Sequence, residues 1–154
     1  MKILSDYHSH TIYSSLGHGK GTIEENVQAA RKKGLREVWI TDHGPGHLFF
    51  GIKRRYLGQV RKEIDRLNSK YDDIDIYFGL EANIIGYDGK IDVGERELAY
   101  LDGLNLGFHS GVKPSGPRSF LLLFILTPLA RLIKPIRPWV RRKKTDAMLA
   151  AVKN

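Results

Sequence analysis

His8 and His10, two residues apart in Asp6-Tyr7-His8-Ser9-His10-Thr11, are the first residues in this chain whose types and spacing could do chemistry. On an extended segment residues two apart point to the same side, so both imidazoles can reach one ion. His18 follows in the next loop. Three more segments deliver the same kind of donor: Thr41-Asp42-His43-Gly44-Pro45, Gly79-Leu80-Glu81-Ala82-Asn83 and Gly107-Phe108-His109. Each closes a short apolar run that reads as a strand. A single histidine in such a place is more often hydrogen-bonded than metal-bound, and an isolated His-x-His decides little. Four successive strand ends that each supply His or Glu point to catalysis at a multi-metal site. Neutral imidazoles with a carboxylate suit zinc, manganese or iron better than magnesium or calcium.

Other residues near these segments carry two readings each. Asp42 is either a catalytic acid or base, or a group that orients the adjacent His43 from behind. His47, in Gly46-His47-Leu48-Phe49-Phe50, falls outside the pattern and reads as a loop residue. Gly44, Gly46 and Gly51 either permit a mobile lid or simply make a turn.

The elements that must position these groups alternate between strand and helix, which argues for βα units and a mainly parallel sheet or barrel. Strand one spans Lys2 to Tyr7. Thr22 and Glu25 form a capping box, after which Ile23, Val27 and Ala30 recur at helical spacing until Gly34. Val38 to Thr41 is strand two, and a helix over roughly Lys53 to Lys70 buries Tyr56, Leu57, Val60, Ile64 and Leu67. Ile74 to Leu80 and Leu104 to Phe108 are strands three and four. In a parallel barrel all these strand ends meet on one rim, where such folds build active sites. Beyond Val112 a turn-rich break, Lys113 to Pro117, leads to the apolar run Phe120 to Leu126. That run is far shorter than the ~20 residues of a membrane span. Thr145 to Lys153 reads as a last helix.

Composition narrows the function classes. At 154 residues with 42% hydrophobic content, the chain suits one globular domain. The absence of cysteine excludes disulfides, thiolate zinc sites and a cysteine nucleophile. Met1-Lys2-Ile3-Leu4 lacks the character of a leader, so a cytoplasmic protein is expected. The net charge of +8 is unevenly placed: residues 1 to 112 carry −1, and residues 113 to 154 carry +9 with Asp146 as their one acid. The stretch Arg137, Arg141, Arg142, Lys143, Lys144 is therefore open to three readings. It is a solvated helix face, an attractor for a polyanionic substrate, or, with Phe120 to Leu126, a contact for an anionic membrane. Beyond Trp139 it has no interleaved aromatics, so nucleic-acid stacking is poorly supported.

The motifs named above also resemble those of PHP (polymerase and histidinol phosphatase) domains, in order and spacing, over about Lys2 to His109. Thr-Asp-His-Gly followed by proline is similar to the bacterial phosphatase branch. The resemblance implies a distorted (β/α)7 TIM-like barrel holding two or three divalent ions. It assigns His8, His10 and Glu81 to the first ion, Glu81 and His109 to the second, and His18 and His43 to the third. It also implies phosphate-monoester hydrolysis by a metal-bound hydroxide, on a phosphorylated small molecule. A PHP nuclease or exonuclease is the alternative enzyme, disfavoured because no polymerase segment accompanies the motifs. A non-catalytic chain with a polyanion- or membrane-binding tail is the alternative of another class.

The family pattern calls for further ligands, in a His-Pro-Gly segment and an Asp-x-His, and no histidine follows His109. The expectation is therefore an incomplete barrel, with each ion one protein ligand short and little or no activity from these 154 residues alone. Residues 1–112 would supply N-terminal βα units, and 113–154 a basic, apolar-rich segment with a final helix. In an open sheet Leu4, Val38, Ile40, Ile76, Phe78, Leu104 and Leu106 would line an inner wall with nothing opposite. Association with a second copy or with the remainder of the domain is expected as a consequence.

Overall fold

A computed structural model describes residues 3 to 153. Four strands, β1 (Ser5–Ser9), β2 (Glu37–His43), β3 (Asp75–Asn83) and β4 (Gly103–Gly107), form one parallel sheet in that spatial order. The crossovers carry α1 (Ile23–Lys32), α2 (Leu57–Lys70) and the short α3 (Glu95–Leu98). After β4 come α4 (Pro117–Phe120), a π-helical stretch over Leu121–Leu126, α5 (Thr127–Leu132) and α6 (Arg137–Lys153). Lys2, expected to open the first strand, lies outside the described residues.

Local chemistry explains the helices. The Glu25 N–H donates to Thr22 Oγ1 at 3.2 Å and the Thr22 N–H donates to Glu25 Oε2 at 2.7 Å, closing the capping box of α1. Gly34, at φ +73°, lets the chain leave α1 in the left-handed region. In α2, Leu57, Val60, Ile64 and Leu67 are buried at spacings of three and four. They pack with Ile23, Val27 and Ala30 of α1 onto Val38, Ile40, Ile76 and Phe78 of the sheet. Each large apolar side chain so buried is worth about 1.5–3 kcal/mol.

That packing corrects the expected inner wall. Val38, Ile40, Ile76 and Phe78 face the helix layer and are sealed beneath it. The reason is the period of two: the helices claim one face of the sheet, so the opposite face goes to Glu37, Trp39, Thr41 and His43 in β2, and to Tyr77, Gly79, Glu81 and Asn83 in β3. Trp39 stacks on Tyr77 with ring centroids 4.8 Å apart. Its indole lies so close over Gly103 that a Cβ there would come within 2.9 Å of it. Leu4 is exposed, and Leu104 and Leu106 are partly buried against the core.

The sheet is curled into a half-barrel. Asn105 on β4 donates its Nδ2 to the Tyr7 carbonyl of β1 at 2.9 Å, although these are the two outer strands. The C-terminal helices close one end: Ala147 and Ala151 of α6 pack on Ile84, while Leu122, Ala130 and Val140 form a separate small core. Helix α6 starts at Arg137, eight residues before the expected Thr145. No helix among the described residues is long and apolar enough to cross a membrane.

Candidate metal centre

The strand ends converge as the sequence suggests, with one device that it does not announce. Ser5 pairs with Glu37 and Asp6 with Val38, but Ser9 then pairs with Ile40. One extra residue in β1 therefore opposes β2, and the residues after this bulge change face relative to their neighbours. His10 is thereby brought into phase with Thr41 and His43. In β2 and β3, His43 pairs directly with Glu81.

Around Glu81 the donors are close. His8 Nε2 and His10 Nε2 lie 3.4 and 3.6 Å from Glu81 Oε2, and 3.0 Å from each other. His43 Nδ1 is 3.0 Å from Glu81 Oε2, and His109 Nε2 is 3.0 Å from Glu81 Oε1. His18 Nε2 sits 3.2 Å from His43 Nε2, its ring stacked on Phe50. Three groups with donor atoms within 4.8 Å of one another result: His8/His10/Glu81, His43/Glu81/His109 and His10/His18/His43. Each group shares a residue with another. The six donors line a cleft of ≈ 640 Å³ together with His47, Phe49, Phe50 and Phe108.

Asp42 is not among them. It is fully buried, and its carboxylate accepts from the Thr11 N–H (2.7 Å), the Thr11 hydroxyl (2.6 Å) and the Ser14 hydroxyl (2.6 Å). Ser14 Oγ is in turn 3.4 Å from His10 Nδ1. Asp42 thus ties down the loop after β1 and reaches His10 only through Ser14. A second carboxylate does similar work at the other side. Buried Asp92 accepts from Asn83 Nδ2 (2.5 Å), the Asn83 N–H (2.7 Å) and the Gly46 N–H (2.7 Å). Asn83 Oδ1 meets His109 Nδ1 at 2.8 Å, which places the proton on Nδ1 and leaves the Nε2 lone pair facing Glu81. Gly44 and Gly46 are explained by the same carboxylate, since a Cβ at either would come within 2.6 Å of the Asp92 side chain. These glycines serve close approach, not a hinge.

Sequence reasoning missed Asp92 and put His47 in a loop, where it lies, without bringing it to the cleft. His47 is buried, with its ring 4.9 Å from that of His43. His47 Nδ1 accepts from the Phe50 and Phe49 N–H groups at 3.1 and 3.3 Å, so Nε2 carries the proton. Asn83 had a usable signal, being two residues after Glu81 and hence on the same face of β3. Asp92 had none, because its loop reaches the site only in three dimensions.

The donor set fits divalent transition metals. Two nitrogens bound to one ion at about 2.0–2.1 Å lie about 2.9–3.4 Å apart, the range found for His8/His10 and His18/His43. Two neutral imidazoles this close satisfy each other only if one supplies a proton, whereas a cation satisfies both lone pairs. Nδ1 of His43 is buried without a hydrogen bond of good geometry, despite its nearness to Glu81. Burial, then the neighbouring His43 and His8, pushes the His10 pKa down to about 4, which keeps its lone pair free. For Glu81 burial acts upward, but any proton that His109 or His43 turns toward it acts downward more strongly and holds the carboxyl well below its usual range.

Comparison with known proteins agrees with this geometry. The family model of the PHP domain matches residues 6–143. A protein named probable phosphatase from Caldanaerobacter subterraneus subsp. tengcongensis is 38% identical over 109 residues, which cover 71% of this chain and 40% of that protein. Another, from Caldicellulosiruptor bescii, is 35% identical over 149 residues, covering 94% of this chain and 59% of that protein. A third, from Photobacterium profundum, is 36% identical over 112 residues, covering 73% and 43%. The chain thus spans between 40% and 59% of the length of these curated relatives. A match over residues 6–143 takes in every donor of the cluster from His8 to His109, and this chain belongs to the PHP domain family.

Proposed function

We propose that His8, His10, His18, His43, Glu81 and His109 hold two or three divalent ions, zinc, manganese or iron, and that the protein is a phosphoesterase acting on small phosphate monoesters. The observation that carries this reading is the chain of three donor groups linked through Glu81, His10 and His43 at the ends of parallel strands. Each group has three protein donors, and the family pattern calls for further ligands, so ions held by this chain alone would keep positions open to solvent and could still polarise water. When bound, such ions neutralise phosphate oxygens and lower the pKa of water. The chain's own residues do the rest. Asp92 and Asn83 set the tautomer of His109, and Asp42 positions His10 through Ser14. Phe49, Phe50 and Phe108 line the cleft beside the donors. Its volume falls within the roughly 300–1,000 Å³ typical of small-molecule sites, which favours a small ester over a polynucleotide. The names of the relatives support the same chemistry.

The test is a panel of phosphomonoesters, p-nitrophenyl phosphate included, set beside single-stranded oligonucleotides, with manganese or zinc supplied. Phosphate release from the monoesters is expected, strong from a longer chain that supplies the remaining family ligands and weak at most from residues 1–154 alone, and Glu81→Gln should reduce it by more than the roughly 10–100-fold typical of losing a residue behind a ligand. Cleavage of oligonucleotides alone would replace this reading with a nuclease.

A further inference from the structure

The helical arm after β4 presents a feature that the cleft does not use. From Pro117 to Leu132 the chain is helical, and its buried side is formed by Ser119, Leu122 and Ala130. The opposite side is apolar as well. Leu121 is 49%, Ile125 46% and Leu132 81% exposed, with Pro128 exposed between them. These positions recur at spacings of four, three and four, so they form one stripe along the helix. Phe120 and Trp139 add two half-exposed aromatic rings nearby in sequence.

Charge decides what could cover that stripe. No Asp or Glu occurs from Lys113 to Thr145. Arg118, Arg131, Lys134, Arg141 and Arg142 are exposed, and no basic residue beyond Val112 forms an ion pair among the described residues. A second copy would bring the same positive arm and be repelled. A protein partner would have to place carboxylates beside apolar side chains along the whole arm to meet both its cations and its stripe. The boundary of an anionic bilayer accepts both at once, apolar side chains among the acyl chains and cations among the headgroups. The helix is too short to span, so it would lie in the interface plane.

We infer that the arm from Pro117 to Arg142 docks the protein onto anionic lipid surfaces, with Leu121, Ile125 and Leu132 inserted and the flanking basic residues on the headgroups. The proposal is independent of the metal cluster and of the substrate. It is tested by co-sedimentation of the whole chain with vesicles of phosphatidylcholine alone and of equal parts phosphatidylcholine and phosphatidylglycerol. Binding is expected only to the second, and raised salt should weaken it. Arg118→Gln and Arg131→Gln should each lower partitioning about fivefold, the loss expected for one basic residue near such a surface. Leu121→Gln with Leu132→Gln should abolish it; both positions are exposed, and an unchanged melt and metal content would confirm an intact fold. Equal binding to both vesicle types, unaltered binding by the leucine variant, or no vesicle binding at all would each overturn the proposal. In the last case, capture of an oligonucleotide or concentration-dependent self-association would name the occupant instead.

Discussion

Asp92 braces the candidate site from behind its donors. Its carboxylate fixes Asn83 and through it the ring of His109, and it also receives the N–H of Gly46 in the loop after His43. Removing the middle of this relay isolates its contribution. Asn83→Ala should weaken metal binding by roughly 10–100-fold, the usual cost of losing a partner behind a ligand. It should also cost about 1–3 kcal/mol of stability, because Asp92 and His109 Nδ1 each lose a buried hydrogen bond. Competition titration against a chelator reads the first, and chemical denaturation the second. Unchanged affinity in a folded Asn83→Ala would show that His109 needs no such orientation. The donors themselves were legible from the sequence, because His-x-His and the strand-end positions of His43, Glu81 and His109 follow from strand periodicity alone. Asp92 and His47 were not. Their importance comes from which loop folds back onto which, and spacing along the chain says nothing of that.

Among the elements, α1 was the most legible. Its start is written by Thr22 and Glu25, its buried face by Ile23, Val27 and Ala30, and its end by Gly34. The cap makes a definite prediction: Thr22→Ala should destabilise the protein by about 1 kcal/mol, measured in urea, with the metal cluster untouched. No change in midpoint would mean that the capping box contributes nothing here. Helix α6 was read too short because Pro135 and Pro138 look like breaks. Pro138 in fact occupies the first turn, where proline removes no helical hydrogen bond. The bulge in β1 was invisible for another reason. Nothing in Ser5 to His10 marks it; it is a property of pairing with β2, and only that pairing shows which face His10 takes.

At the scale of the whole molecule, four parallel strands curl far enough for Asn105 to bridge β4 to β1. The apolar strand faces, expected to stand open, are covered by α1 and α2, and on the opposite face Trp39 lies over Gly79 and Gly103 and stacks on Tyr77, both rings partly exposed. Covering Val38, Ile40, Ile76 and Phe78 removes their share of the reason to expect association, while β1 and β4 remain edge strands of the sheet. The curl accomplishes convergence: residues from His8 to His109, a hundred positions apart, meet at one carboxylate. The proposed chemistry requires that meeting point to be a metal centre. The most direct measurement is elemental analysis of the protein after loading with manganese or zinc and desalting, for the wild type, His10→Ala, Glu81→Gln and, as a control outside the donor groups, Thr22→Ala. Bound metal in the wild type and the control, reduced in His10→Ala and lowest in Glu81→Gln, is the predicted result. Metal content unchanged by either ligand substitution would contradict a metal centre built on Glu81.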